Sequence, residues 1–263
     1  MAFTASAFIY NGIPSDAFGL YCYSFNRKSQ GNGVFGGDVT VLETRIPSRP
    51  TPLHYGVSRN DPAEFELIFG TLGPCPLDRF QAAAIAEWLI GPKEYCWLHI
   101  CQPDLDYVRY RCIVSSLEQL PVNNNTVAFL AKIRCDGPYA YSAVEELEID
   151  SSQSAVLPYT SPSNIQDPHY PVMTLELRPG ADSVSVWSDR DEKVKFTLSD
   201  LSISTPTTIT VDNLNQVISG GTENWYSKFN FNFFRIWPGE NDIRVDGNCK
   251  VTIQSQPFMN VGY

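Results

Sequence analysis

The sequence predicts a mainly β protein of two domains: an N-terminal β-rich domain with one α-helix and an extended arm, and a C-terminal β-sandwich. Apolar and polar residues alternate at the strand period through most of the chain, and only one stretch has the helix period. The length of 263 residues exceeds one typical domain. Aromatic residues make up 13% and charged residues only 18%, which favours strands and leaves aromatic surface for other subunits to cover.

The chain opens with short predicted strands. Residues 7–10 and 20–25 alternate at the strand period, and the turn dipeptide Asn11-Gly12 separates them. Phe65, Leu67 and Phe69 then indicate a strand with one buried face.

A long arm is predicted between about residues 31 and 55. A glycine-rich loop precedes it, and prolines at 47, 50 and 52 interrupt it. Because proline cannot donate to a β-ladder, such an arm suits a sheet edge or an intermolecular contact. We expect Val39, Val41 and Leu42 to help build a contact between subunits.

The helix is predicted over residues 76–90. Pro76 suits the first helical position, Asp78 places a carboxylate in the first turn, and Gly91-Pro92 is a stop signal. An apolar stripe at helical spacing predicts a face that packs on a sheet. The stripe consists of Leu77, Phe80, Ala84 and Trp88, widened by Ile85 and Leu89.

A three-stranded meander is predicted after the helix, over residues 95–101, 107–119 and 127–135. The pattern stops at Asp136-Gly137-Pro138, so the domains are predicted at 1–137 and 138–263. Short, evenly spaced strands in the second half predict the sandwich. Within it, Phe229, Phe231 and Phe233 alternate with Asn230 and Asn232, the pattern of a half-buried strand.

Charge and cysteine usage exclude several classes of protein. The net charge of −10 is the reverse of what nucleic-acid binding or docking on an anionic membrane requires. The odd number of cysteines, seven, argues for free thiols in a reducing compartment. The sequence offers no signal peptide and no apolar run of the ~18 residues of a membrane span, so we expect synthesis in a cytoplasm.

Candidate cofactor and metal motifs each favour a structural interpretation. Gly31–Gly36 has the G-x-G-x-x-G spacing, but a strand-like stretch and prolines follow it where a dinucleotide site needs a helix. Cys96, His99 and Cys101 have no second ligand pair at zinc-finger spacing, and Cys96 faces away from the other two on a strand. Asp104 with Asp106, and the run 189–192, are turn residues without a calcium-loop pattern. We therefore predict no cofactor and no metal.

No catalytic constellation is recognisable. The histidines are His54, His99 and His169, and no Gly-x-Ser-x-Gly elbow accompanies them. Carboxylates distant in sequence could still meet in space, as in a cell-wall hydrolase, but without a recognisable pair we predict no enzyme and no catalytic residue.

A second interpretation concerns the aromatic residues of the C-terminal half. A β-sandwich that presents an aromatic platform with neighbouring amides can bind sugars, although aromatic side chains on strands are more often core. This alternative predicts a glycan face that needs an exposed Trp225 or Trp237. The face would comprise Trp225, Asn230, Asn232 and Trp237.

Motifs in one order along the chain resemble those of distal tail proteins from long-tailed, non-contractile bacteriophages. The strongest lie at the start, in the helix with the following strand, at the domain junction and near the end. They are Phe8–Ile13 with Asp16–Leu20, Ala86–Leu89 with Tyr95–Leu98, Arg134–Tyr141 and Ile236–Ile243.

The resemblance implies an architecture and an environment. It implies an N-terminal ring-forming domain with one helix and an arm, and a C-terminal galectin-like β-sandwich outside the ring. Six copies would form a hub between the tail tube and the baseplate or tail tip of the virion. The expected partners are further copies of the chain, the tail tube protein, a tail-associated lysin or tip protein, and receptor-binding proteins. DNA would pass through the channel without specific binding, consistent with the acidic balance. Lectin activity is not carried over, because the His-Asn-Arg cluster of true galectins has no counterpart here.

Overall fold

The computed structural model describes residues 7–26, 40–58, 61–71, 77–122, 125–221 and 223–261. The chain divides into two compact units, Met1–Tyr141 with Asn260–Tyr263, and Ser142–Met259. This division lies between residues 141 and 142, whereas the sequence predicts a boundary between 137 and 138.

The first unit is built on one antiparallel sheet. Its strands pair in the order β2-β1-β7-β8-β9-β6-β3, and β10 also pairs with β8. A separate two-stranded sheet, β4-β5, forms the arm. The strands of this unit are β1 (Ala7–Tyr10), β2 (Ile13–Pro14), β3 (Leu20–Asn26), β4 (Thr40–Thr44), β5 (Leu53–Ser58), β6 (Glu64–Thr71), β7 (Cys96–Cys101), β8 (Val108–Val122), β9 (Asn125–Cys135) and β10 (Ala140–Ser142).

The single α-helix of the described residues, α1 (Arg79–Ile90), packs on the apolar side of this sheet through Trp88. The Trp88 ring stacks on Phe8 of β1 at 5.6 Å and on Phe18 at 4.7 Å between ring centroids. Its indole Nε1 donates a hydrogen bond to the backbone oxygen of Tyr10 at 3.1 Å. A large aromatic side chain with a satisfied polar atom therefore fixes the helix to β1.

The helix begins three residues later than the sequence predicts. Asp78 is its N-cap, since the carboxylate accepts a hydrogen bond from the backbone N–H of Gln81 at 2.7 Å. The Gln81 side chain accepts in return from the Asp78 N–H at 3.0 Å, which completes a capping box. Pro76, predicted at the first helical position, lies outside the described residues.

The predicted apolar face of the helix is partly wrong. Ile85, Trp88 and Leu89 are buried as expected, but the Phe80 side chain is 86% exposed and Ala84 is also exposed. The buried face of the helix is therefore rotated from the predicted stripe and consists of Ile85, Trp88 and Leu89.

The second unit is a β-sandwich of two antiparallel sheets. One sheet has the order β11-β19-β13-β16-β17 and the other β12-β18-β14-β15. Alternating side chains from both sheets fill one core, among them Leu175, Val186, Ile243 and Val251. The strands are β11 (Glu145–Asp150), β12 (Val156–Ser161), β13 (Val172–Leu177), β14 (Val184–Ser188), β15 (Phe196–Leu198), β16 (Thr207–Asp212), β17 (Val217–Ser219), β18 (Gly239–Gly247) and β19 (Cys249–Ser255). The short strand β20 (Phe258–Met259) follows and belongs to neither sandwich sheet.

The predicted strand at Phe229–Phe233 is wrong. Phe229 makes one isolated bridge and Phe231 has a positive φ of 62°, which no continuing strand adopts. The Asn230 carboxamide oxygen accepts from the backbone N–H of Asn232 at 3.2 Å and so closes a local turn. The Phe231 and Phe233 rings both contact Phe229, at 5.6 and 4.9 Å between centroids, but Phe231 is exposed where the predicted strand would bury it on the same face as Phe229.

Candidate functional site

The β4-β5 arm is the most exposed regular element of the described chain. Val41 lies directly opposite Val57, so the two side chains share one face of the hairpin. They are 53% and 61% exposed, Leu42 is 46% exposed and Tyr55 is 65% exposed. Because an isolated two-stranded hairpin is marginally stable, this apolar surface is suited to a partner that covers it.

Turn and proline residues shape the tip of the arm. Ser48 has a φ of 74°, and the Arg49 N–H donates to the Ile46 oxygen at 3.1 Å. Pro47, Pro50 and Pro52 all lie in this connection, outside both paired strands. They therefore limit the hairpin without removing any ladder donor.

The predicted contact residues fall on this arm only in part. Val41 and Leu42 lie in β4 with exposed side chains. Val39 lies outside the described residues, as does the Gly31–Gly36 motif.

The predicted glycan face is not an open aromatic platform. Trp225 is 3% exposed, and its Nε1 donates to the Gly220 oxygen at 2.6 Å, so the expectation of an exposed Trp225 is wrong. Asn230 is exposed, but its amide donates to the Lys195 oxygen at 2.8 Å and its carbonyl accepts from Thr197 N–H at 3.2 Å. Asn232 is half-buried beside it.

Trp237 belongs to a charged cluster that the sequence did not reveal. Its Nε1 donates to Asp191 at 2.7 Å, and the guanidiniums of Arg190 and Arg235 lie 5.5 and 5.1 Å from the indole centroid. The Arg235 guanidinium donates two hydrogen bonds to the Asp191 carboxylate, of 2.7 and 2.9 Å. The hydrogen bonds from Arg235 lower the pKa of Asp191, followed in effect by the bond from Trp237, so this nearly buried carboxylate stays charged.

A chain of hydrogen-bonded side chains connects the buried His169 to the exposed Glu145. His169 Nε2 lies 2.9 Å from Ser255 Oγ, and the Tyr159 hydroxyl lies 3.1 Å from the same oxygen. The Tyr159 hydroxyl donates to Glu145 at 2.8 Å. Ser255 is fully buried, so its contact with His169, which resembles a nucleophile–base pair, is closed to a substrate.

An open pocket of about 420 Å³ lies on the second unit. Residues 202–208 supply hydroxyl groups along one wall, and Gly221, Glu223 and Trp225 complete it. The pocket is polar, but Trp225 is too buried to offer a stacking face.

The residues considered for metal binding do not gather into a ligand set in the described part of the chain. His99 lies 3.5 Å from Asp106, and burial, then the nearby Arg109, lower its pKa. Within the described ranges, no three His, Cys, Asp or Glu side chains are grouped to hold a metal ion. No helix there is long and apolar enough to cross a membrane.

Two protein-family models match the sequence. Residues 3–137 match a family described as a phage tail protein N-terminal domain, and residues 139–255 match one described as a phage tail C-terminal domain. No protein with a curated description matches the sequence significantly.

Solved structures share the fold. The chain is similar to the Dit protein (gp 19.1) of phage SPP1, described as a paradigm of the hub adsorption apparatus in phages infecting Gram-positive hosts. The TM-score is 0.67 at 9% identity, over 97% of this chain and 100% of that one. A chain of the phage P2 baseplate, in its activated conformation with calcium, gives 0.51 at 13% identity, over 96% and 98% of the two chains. At such identities the likeness concerns the fold alone.

Proposed function

The chain belongs to the phage tail protein family that these two domain models describe, and from that premise we propose that it is a distal tail protein. It forms a ring hub that joins the tail tube to the baseplate or the tail-tip host-adhesion apparatus. Its location is the virion tail tip, after synthesis in the cytoplasm of the bacterial host.

One observation carries the proposal. The fold similarity to SPP1 Dit extends over 97% of this chain and the whole of that chain, so both units have a counterpart in a protein described as a hub. A shared fold does not fix a function by itself, and the family membership supplies the tail context.

The arm supports self-assembly into the ring. Val41 and Val57 form an apolar cross-strand pair that is exposed to solvent in the single chain. Burying such side chains against a second copy is worth about 1 kcal/mol or more for each. We propose six copies, with Val39, Val41 and Leu42 in the contact between neighbours.

The second unit is proposed as a galectin-like domain outside the ring. The partners of the hub are the tail tube protein and a tail-associated lysin or tip protein, with receptor-binding proteins at the periphery. The phage is of the siphovirus class, which has a long, non-contractile tail. Its DNA crosses the ring without specific binding. A net charge of −10 suits a channel that repels phosphate groups.

The role is structural, with no catalysis. The family descriptions concern tail architecture, and the Ser255–His169 contact is buried within the second unit. The Ser255 hydroxyl joins β19 to the side chains of His169 and Tyr159 and thereby stabilises the fold.

A mass measurement with a matched pair of variants tests the ring. Native mass spectrometry of the full chain should show a species of six times 29.4 kDa, about 176 kDa. Leu42→Asp places a charge on the exposed arm and should shift that species to monomers, because the contact would bury the charge unpaired.

The control is Leu214→Asp, which changes an equally apolar side chain, 60% exposed, on the second unit. It should leave the 176 kDa species in place. A chain that remains monomeric even with its tail partners, or equal effects of both variants, would contradict the proposal.

The glycan-binding alternative has less support. The polar pocket beside residues 202–208 is the one feature in its favour, since hydroxyl-lined walls can bond a sugar. Of the four residues predicted for the face, Trp225 is buried, and the side chains of Trp237 and Asn230 are hydrogen-bonded within the chain. A glycan array probed with the full chain decides between the two, and specific binding would restore the alternative.

A further inference from the structure

Three cysteines of the first unit lie in one row across neighbouring strands. Cys96 of β7 is directly opposite Cys112 of β8, and Cys112 is directly opposite Cys135 of β9. Residues directly opposite each other point to the same face of a sheet. In β7 and β8 that face also carries the buried Leu98 and Tyr110, so the three thiols line the core side.

The two cysteine pairs differ in their hydrogen bonding. The Asp136 N–H donates to the Arg111 oxygen at 2.9 Å, a bond that brackets Cys112 and Cys135 and makes them a non-hydrogen-bonded pair. Such pairs have Cα atoms about 4.5 Å apart, within the range that a disulfide spans.

Cys96 and Cys112 form the wider kind of pair. The Trp97 oxygen accepts from the Asn11 N–H on the β1 side, so the backbone groups of Cys96 point to β8. In hydrogen-bonded pairs of this kind the Cα atoms are about 5.5 Å apart and the side chains are farther from each other. The geometry therefore favours a final bond between Cys112 and Cys135.

The two cysteines that are best placed to form a disulfide are also the two that solvent reaches least. Cys112 and Cys135 are 0% and 1% exposed, whereas Cys96 is half-buried at the end of the row. Burial raises the pKa of the Cys112 thiol well above its usual range and that of Cys135 to about 12. Both inner thiols therefore stay protonated and react slowly with a reagent in solution.

We propose that Cys96, Cys112 and Cys135 form a thiol relay that ends in a Cys112–Cys135 disulfide when the protein meets a small oxidised disulfide such as oxidised glutathione. The reagent reacts first at the accessible Cys96 and forms a mixed disulfide, releasing one reduced glutathione. Cys112 then attacks the Cys96 sulfur as its thiol gives up its proton to the departing glutathione sulfur, which leaves as the second reduced glutathione. Cys135 then attacks the Cys112 sulfur and returns Cys96 to a free thiol, so two thiols have been oxidised and one reagent disulfide reduced.

The product would tie β8 to β9 at the end of their hairpin farthest from the turn. It would join two strands through the core side of the sheet, where the bond is shielded from reducing agents once formed. The arrangement is thus a covalent lock that closes only in an oxidising environment.

Disulfide mapping of the native full chain tests the relay directly. The native protein is incubated with oxidised glutathione and then denatured in acid, the remaining free thiols are blocked with N-ethylmaleimide in denaturant, and unreduced peptides are identified by mass spectrometry. We expect a Cys112–Cys135 linked peptide with the loss of two hydrogens, and a labelled Cys96. A native protein in which Cys112 and Cys135 both remain labelled, or in which Cys96–Cys112 is the stable product, would overturn the proposal.

Two variants separate the relay from simple oxidation. Cys96→Ser should slow formation of the linked peptide several-fold, whereas Cys249→Ser, on the second unit, should leave its rate unchanged. Equal rates in both variants would overturn the role of Cys96, and circular dichroism confirms that each variant is folded. The mapping of the unmodified chain stands even if a variant misfolds.

Discussion

At the scale of single residues, His169 is a buried histidine that the fold keeps neutral. Burial lowers its pKa to about 4, an effect larger than the opposing backbone hydrogen bond with Ile236. Its Nε2 contacts Ser255, and Tyr159 and Glu145 follow in the same chain of hydrogen bonds. Protonation would place a charge in a buried site where the contact of the ring is a serine hydroxyl and the Glu145 carboxylate is reached only through Ser255 and Tyr159.

This burial predicts a pH dependence of stability. Between pH 4 and 6.5 the unfolded chain binds a proton at His169 that the folded chain does not. The free energy of unfolding should therefore fall by up to about 3 kcal/mol as the pH drops through this window. Urea unfolding of the full chain at several pH values measures the slope.

The matched variants are His169→Gln and His54→Gln. The first removes the His169 contribution and should reduce the slope between pH 4 and 6.5, leaving the part that His99 supplies because burial lowers its pKa as well, whereas the second, on the exposed arm, should leave the slope unchanged. The lowered pKa of Asp191 affects stability only as the pH falls below its usual value of 3.8, so the windows are distinct. An unchanged slope in His169→Gln would show that burial of this imidazole is not the cause.

Asp191 holds the charged cluster around Trp237 together. Its carboxylate is the common acceptor for Arg235 and for the Trp237 indole. Asp191→Ala should lower the free energy of unfolding by about 3 kcal/mol, since it leaves a partly buried guanidinium and an indole N–H without their acceptor. Glu118→Ala, which breaks the exposed pair with Lys132, should cause a much smaller loss in the same denaturant titration. Equal losses would mean that the cluster contributes no more than a surface ion pair.

At the scale of elements, helix α1 shows how two aromatic residues of one predicted stripe differ in effect. Trp88→Ala should lower the free energy of unfolding by about 3 kcal/mol or more, because it removes the ring that packs on Phe8 and Phe18 and leaves a cavity. Phe80→Ala should change stability by less than about 0.5 kcal/mol, because its ring is 86% exposed. Thermal or urea unfolding of both variants provides the test, and a loss for Phe80 similar to that for Trp88 would contradict this packing.

Helix α1 also shows that sequence signals predict where a helix ends better than they predict which side of it is buried. The stop signal Gly91-Pro92 places the end of the helix at Ile90, as observed. The spacing of apolar residues leaves the direction of the buried face open by about one residue's rotation, roughly 100°. Contacts from β1, distant in sequence, decide that Trp88 is buried and Phe80 is not.

Local hydrogen bonds explain the missed strand at residues 229–233. Alternation of Phe and Asn predicts a strand, but the Asn230 carboxamide bonds to three backbone groups and bends the chain. Asparagine competes for backbone partners in this way, and a hydrophobic pattern does not record it. The Asp191–Arg235–Trp237 cluster was missed for a different reason, because Asp191 lies more than forty positions from Arg235 and Trp237 in sequence.

At the scale of the whole molecule, two β units and a phage tail family were accessible from the sequence. Turn residues and strand alternation indicate the two-unit organisation, and the ordered motifs indicate the family that the domain models match. The assembly itself depends on surfaces such as the β4-β5 arm, whose partner lies outside the single chain.

The location of the chain in the virion tests the hub most directly. Cryo-electron microscopy of intact phage tails should reveal this two-unit fold as a six-membered ring at the distal end of the tail tube, directly above the baseplate or tip. The same fold placed along the tube or at the head-proximal end of the tail, or a tail tip without it, would contradict the account.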